Sequence, residues 1–169
     1  DYGYQLTALL INDEKLTARE EQSTFEYIMP DTNVHICGIF EEVEDKVVTA
    51  STEVKTGEIQ IDDSEIASGS VVLSVKDAEL TEAQKAEFAK AATDYQIASY
   101  LNLDLDQVLY KGTADEVWSN SLNTLKNSAT VKLQLAQGVD GKELVIVHEK
   151  HDGTYEILPV IYDSATQTI

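Results

Sequence analysis

The sequence predicts a mainly β protein, with a small antiparallel sheet module followed by a β-sandwich that carries one amphipathic helix. Three observations predict it. Apolar and polar residues alternate with a period of two over most of the 169 residues, which is the pattern of half-buried strands. A helical period occurs in one place, "LTEAQKAEFAKAATDY" at 80–95. Asp-Gly pairs at 140–141 and 152–153 stand between apolar runs, where residues that tolerate positive φ turn hairpins.

In chain order, residues 5–12, 24–29 and 33–41 read as strands. In the third, Val34, Ile36, Gly38 and Phe40 alternate with His35, Cys37 and Ile39. The larger apolar residues fall on the even set, so that side is expected to face the core. Met29-Pro30-Asp31 turns the chain ahead of this strand. From Glu41 to Glu58 the apolar residues are small and sparse, which suits a linker with one weak strand. The expected organisation is therefore a module at 1–45, a linker at 46–56 and a domain at 57–169.

Within the domain, residues 58–62, 70–79, 100–110, 129–136, 143–149 and 154–162 have strand patterns, and 143–162 forms a hairpin. The helix is expected near 82–93, about three turns long. Thr81 supplies the N-cap, Gln84 closes a capping box, and Phe88, Ala91, Ala92 and Tyr95 repeat at helical spacing, giving a face that packs on a sheet.

Thirty-one acidic residues against 12 basic ones give a net charge of −19, a field that repels nucleic acid and anionic lipid. No nucleic-acid partner is expected. No window approaches the ~18 consecutive apolar residues of a membrane span, so no membrane insertion is expected of this stretch. Because the chain opens at Asp1 and not at Met, it reads as a processed product or a piece of a longer chain. A single cysteine, Cys37, makes no internal disulfide and suits reducing and exported settings alike.

Each candidate for chemistry has a structural rival. His35 and Cys37 share one side of a strand with Cα atoms roughly 6.5 to 7 Å apart, whereas a catalytic pair needs hydrogen-bond reach, an orienting third group and a pocket. They read as a strand face, and no catalytic residue is assigned. Asp104 and Asp106 line one face of a strand opposite Leu101, Leu103 and Leu105, although acid/base pairs usually converge from separate elements. Asp62, Asp63 and Glu65 gather hard oxygen ligands on one loop and are the Ca²⁺ candidates, without the spacing of an EF-hand. His148 and His151 have the H-x-x-H spacing that would align two zinc ligands on a helix, but they fall where a strand runs into a turn. Tyr100, Tyr110 and Trp118 are the candidates for a sugar-stacking platform, with packing as the rival role. No phosphate-binding or dinucleotide-binding glycine loop, nucleophile elbow or C-x-x-C occurs. No cofactor is expected.

Residues 3–42, "GYQLTALLINDEKL...STFEYIMPDTNVHICGIFEE", resemble the divergent B-repeat modules related to internalin repeats in Gram-positive surface proteins. Gly3, Tyr4, Leu6 and Leu9 match the opening "GY-x-L-x-x-L" strand, Phe25 and Tyr27 the apolar places before the turn, and Met29 and Pro30 the turn. Val34, Ile36, Gly38 and Phe40 match the closing strand. Residues 57–169 are similar to a β-rich module toward the C-termini of the same class of cell-wall-associated proteins, through "VVLSVKDAELTEAQKAEF", "DYQIASYLNLDLDQVLY" and "ELVIVHEKHDGTYEILPVIYDSATQTI". The resemblance implies a further strand before Asp1 and another after Ile169, and hence open edges prone to self-association.

It also implies a non-enzymatic spacer, structural or adhesion module of a secreted or cell-wall-anchored bacterial protein. The ligand, protein or polysaccharide, is unknown. The alternative is an accessory polysaccharide-binding domain of a larger secreted enzyme.

Overall fold

The computed structural model describes residues 2–17, 26–110, 117–139 and 143–169. The protein is mainly β, with small antiparallel sheets and one helix among the described residues. In chain order the elements are β1 (Tyr4–Ile11), β2 (Glu14–Thr17), β3 (Ile36–Glu42), β4 (Lys46–Ala50), β5 (Val54–Gln60) and β6 (Ser70–Asp77). They are followed by α1 (Glu82–Ala92), β7 (Leu101–Tyr110), β8 (Val117–Ser121), β9 (Thr130–Leu135), β10 (Val145–Glu149) and β11 (Tyr155–Pro159). The sheets have the orders β2-β1-β3, β4-β6-β7-β8, β5-β9 and β10-β11.

The chain divides into two compact units that interleave along the sequence. One comprises Asp1–Lys46, Ile61–Val72 and Asp106–Ser128, the other Val47–Gln60, Leu73–Leu105 and Ala129–Ile169. Residues 61–72 and 106–128 join the N-terminal stretch 1–46 in the first unit. The expected linker at 46–56 holds β4 and the first part of β5. Its Val and Thr residues contribute little apolar area, yet their branched side chains suit the pleated backbone.

In the first unit, β1 and β2 form a hairpin closed by Asn12 and Asp13, both at positive φ, 49° and 69°. Two such residues make the type I′ turn that matches strand twist. The strand reading missed β2, although Asn12-Asp13 carried this turn signal. The strand expected at 24–29 is absent from 26–29, and residues 24 and 25 lie outside the described residues. On β1 a register shift between Leu6 and Ala8 inserts Thr7, whose hydroxyl donates to the Ile39 carbonyl at 3.2 Å.

The expected core face of β3 is corrected. Ile36 is 56% and Phe40 58% exposed, and the half-buried residue of the strand is Ile39, from the odd set, opposite buried Ala8. Alternation identifies which residues share a side; whether anything is laid over that side is decided elsewhere in the chain.

The same unit is tied together by groups distant in sequence. Gly3 N–H donates to Gly69 O at 3.0 Å, and Gly69 N–H to Tyr4 O at 2.8 Å. Asp45 accepts from the Tyr2 hydroxyl and from Val71 N–H. Burial and the neighbouring Asp45 carboxylate push the Tyr2 phenol well above its ordinary pKa. Gly69 has φ +81°, and a Cβ there would lie 2.3 Å from Val108 O.

In the second unit the core consists of Val54, Leu73, Val75 and Leu133, with Val47, Ile59, Leu101, Leu105, Val131 and Ile169 packed against it. Helix α1 forms where its spacing predicts. The Thr81 hydroxyl accepts from Gln84 N–H at 3.3 Å while the Gln84 side-chain Oε1 accepts from Thr81 N–H at 3.0 Å, so both arms of the capping box are made. Phe88 anchors the helix by edge-to-face contacts with Tyr100 and Tyr155, at centroid distances of 5.7 and 5.0 Å. Tyr95, expected on the same apolar face, lies beyond the helix end at Thr93, which has φ 52°.

Strands β10 and β11 make the expected hairpin, turning at Gly153 with φ 77°. The other Asp-Gly pair, 140–141, lies outside the described residues. Leu133 and Ile169 exchange both backbone hydrogen bonds, at 2.8 and 3.0 Å, on one edge of β9.

Gly69→Ala is expected to destabilise the protein by about 2–5 kcal/mol, combining left-handed strain with overpacking against Val108. Gly153→Ala, with nothing within 4 Å of the added Cβ, is expected to cost only the strain, about 1–2 kcal/mol. Urea unfolding of the two variants side by side checks the difference.

Candidate functional site

The loop proposed for Ca²⁺ is occupied by its own chain. Asp62 Oδ1 accepts from Ser64 N–H at 2.9 Å. The Glu65 carboxylate accepts from Lys126 N–H at 3.0 Å, Asn127 N–H at 2.7 Å and Asn127 Nδ2 at 2.9 Å. The Ser64 hydroxyl and the Lys126 amide, respectively, are the leading causes that lower the Asp62 and Glu65 pKa values. Asp62 works as an acceptor within the loop, and Glu65 fastens the loop to 126–127. Asp63 is exposed beside them. Among the described residues no group of three or more His, Cys, Asp or Glu side chains is placed to hold a metal ion.

The same arrangement recurs at Asp152, in a turn that sequence reading marks, and at Asp163 and Asp77, which it does not single out. Asp152 accepts from Thr154 N–H at 2.9 Å and its hydroxyl at 2.6 Å. Asp163 accepts from Ala165 N–H at 2.9 Å and the Thr166 hydroxyl at 2.8 Å. Asp77 accepts from the Ser51 hydroxyl, Thr52 N–H at 2.9 Å and the Thr52 hydroxyl at 2.8 Å. All three pKa values are lowered, chiefly by the hydroxyl bonds. The signal for the local turns was present as "DDS", "DGT" and "DSAT", an Asp followed two or three residues later by a hydroxyl side chain. Nothing local marked Asp77, whose partners lie 25 and 26 residues away.

The remaining candidates do not converge. His35 and Cys37 are both exposed, Cys37 as a free thiol, and the His35 backbone exchanges bonds with Asn12. Asp104 lies 3.8 Å from the Lys76 ammonium, while Asp106 accepts from the Ser121 hydroxyl at 2.6 Å. His148 Nδ1 is 3.0 Å from Glu156 Oε1, and Lys150 Nζ 2.8 Å from its other oxygen. The Lys150 and His148 contacts, in that order, lower the Glu156 pKa. His151 occupies the following turn.

Tyr100 is engaged with Phe88 under the helix. Tyr110 and Trp118 contribute backbone to β7 and β8, and their side chains lie outside the described residues. Among the described residues no helix is long and apolar enough to cross a membrane.

The Asp77 contacts have a defined pH dependence. Its folded pKa is lowered from 3.8, so the contribution is present above the unfolded value and is lost as pH falls through the folded one. The stability difference between wild type and Asp77→Asn is expected to be constant from neutral pH to about pH 5 and to close below about pH 4. Urea titrations at stepped pH check it.

No protein family, curated protein or solved structure matches this chain.

Proposed function

We propose that the chain is a non-enzymatic structural, spacer or adhesion module of a secreted or cell-wall-anchored bacterial surface protein. Its surface ligand would be a protein or a polysaccharide. The observation that carries this reading is the use made of the acidic side chains. Asp62, Glu65, Asp77, Asp152 and Asp163, all with lowered pKa values, each hold a loop or turn by accepting from backbone N–H groups. Perturbed carboxylates in a catalytic centre converge on one cleft; here each serves its own piece of backbone. The acidic surface, the single thiol and the β-rich build agree with an exported module, as does the resemblance of residues 3–42 to internalin-type repeats.

One observation favours the second reading, an accessory polysaccharide-binding domain. Tyr4 and Phe40, 46% and 58% exposed, lie on the same side of the β1–β3 pair, and exposed rings on a flat sheet suit stacking on sugar faces.

Labelling of intact cells with a membrane-impermeant amine reagent is expected to reach the parent protein. Labelling only after lysis would overturn the surface reading. Calorimetric titration with purified wall polysaccharide separates the two roles: heat of binding lost in both Tyr4→Ala and Phe40→Ala favours the accessory domain. Cys37→Ser and His35→Ala are expected to leave any such binding unchanged.

A further inference from the structure

We infer that the outer edge of β3 is a docking edge for a second copy of this chain, paired antiparallel and centred on Ile39. The inference does not depend on where the protein is located.

The direction of the backbone groups on β3 follows from its two ends. His35 O accepts from Asn12 N–H at 2.9 Å, and Val43 N–H donates to Gly3 O at 2.9 Å. Both bonds point toward β1, and no register shift falls on β3 itself. Because hydrogen-bonding direction alternates along a strand, the odd residues from 35 to 43 bond to β1. The N–H and C=O groups of Ile36, Gly38, Phe40 and Glu42 therefore point away from it. Strand β3 is the last in its sheet, and among the described residues no hydrogen bond reaches these outward groups.

Natural edges are usually blunted by Lys, Pro, a bulge or a covering element. The stretch Ile36-Cys37-Gly38-Ile39-Phe40 has no Lys or Pro and no bulge of its own, and among the described residues no strand pairs with its outer edge.

The same strand fits itself in one register. Antiparallel pairing about Ile39 uses all of Ile36–Glu42 in each copy. Ile36 then meets Glu42 of the second copy and Gly38 meets its Phe40, exchanging about eight hydrogen bonds. The chain's own Phe40 ring covers Gly38, its Cε2 2.7 Å from where a Cβ would stand, with Leu6 Cδ1 at 3.0 Å, so Gly38 adds no side chain of its own to that side of the strand.

Charge also selects this register. Like charges never face each other across the pair, and the two Glu41 residues are separated by about four residue rises, roughly 14 Å. That exceeds the Debye length of about 8–10 Å at moderate salt. Seven residues per copy is well short of the roughly 20–30 per side of a standard interface, so the dimer is expected at high concentration and high salt.

The test uses the full chain. The central Ile39 pair is a non-hydrogen-bonded one with Cα atoms about 4.5 Å apart, within disulfide range. Cys37 and its counterpart would be about 14 Å apart, too far to bridge. Under mild oxidation at high salt, Ile39→Cys in a Cys37→Ser background should become a disulfide-linked dimer, while wild type, whose thiol lies on the same strand, should not. Sedimentation equilibrium of wild type should show the mass rising toward double with concentration and salt. Ile36→Pro, which removes an outward N–H at the start of β3, should stay monomeric. A monomeric wild type under all these conditions, cross-linking of Ile39→Cys no greater than that of wild type, or a dimer that persists in Ile36→Pro each overturns the proposal.

Discussion

Backbone N–H groups at the ends of strands have to find acceptors, and in this chain ionised carboxylates supply many of them. Asp62, Asp77, Asp152 and Asp163 each take an amide and at least one hydroxyl, and Glu65 takes two amides. In the second unit, Asp77, Asp152 and Asp163 tie turns beside a core cluster of Val54, Leu73, Val75 and Leu133; in the first, Asp62 and Glu65 tie the loop at 62–65. The surplus of acid, which would otherwise only repel, is thus partly structural.

That arrangement has consequences for function. A carboxylate that accepts from two or three donors of its own chain has that share of its roughly four acceptor sites committed to holding backbone. The acidic loop at 62–65 and the hairpin turn at 150–154 are tied in this way, and other surfaces carry few such bonds. Strand β3 is one of them. Its ring at Phe40, its Gly38 and its outward backbone groups offer shape and hydrogen bonds without charge, and Glu41 and Glu42 crowd only one end. Strand addition at such an edge needs neither a pocket nor a catalytic group. It is a mode of binding in keeping with a module that joins, spaces or adheres.

Packing of the helix shows how a local signal becomes tertiary. The Thr81–Gln84 box starts the helix from within its own sequence, but the helix has few buried side chains, Ala92 being the buried one. Its attachment comes from Phe88, which meets Tyr100 from the segment before β7 and Tyr155 from β11. Packing was the rival role weighed for Tyr100, but nothing near Tyr100 in sequence points to the helix as its partner.

The sequence by itself determined the β class, the span and cap of α1, the 143–162 hairpin and the Asp152-Gly153 turn within it, all of which depend on residues within a few positions of one another. Tertiary structure decided the rest. It placed β4 and the start of β5, read as a linker with one weak strand, in two different sheets. It set Ile39 and not Ile36 or Phe40 toward the interior, and it gave Glu65 its partners at 126–127 and Asp77 its partners at 51–52. The physical reason is the range of the forces involved. Side-chain period and turn chemistry act between near neighbours, whereas burial and distant hydrogen bonds follow from which strands are brought together, and two strands of equal pattern compete for the same place until the whole chain is folded.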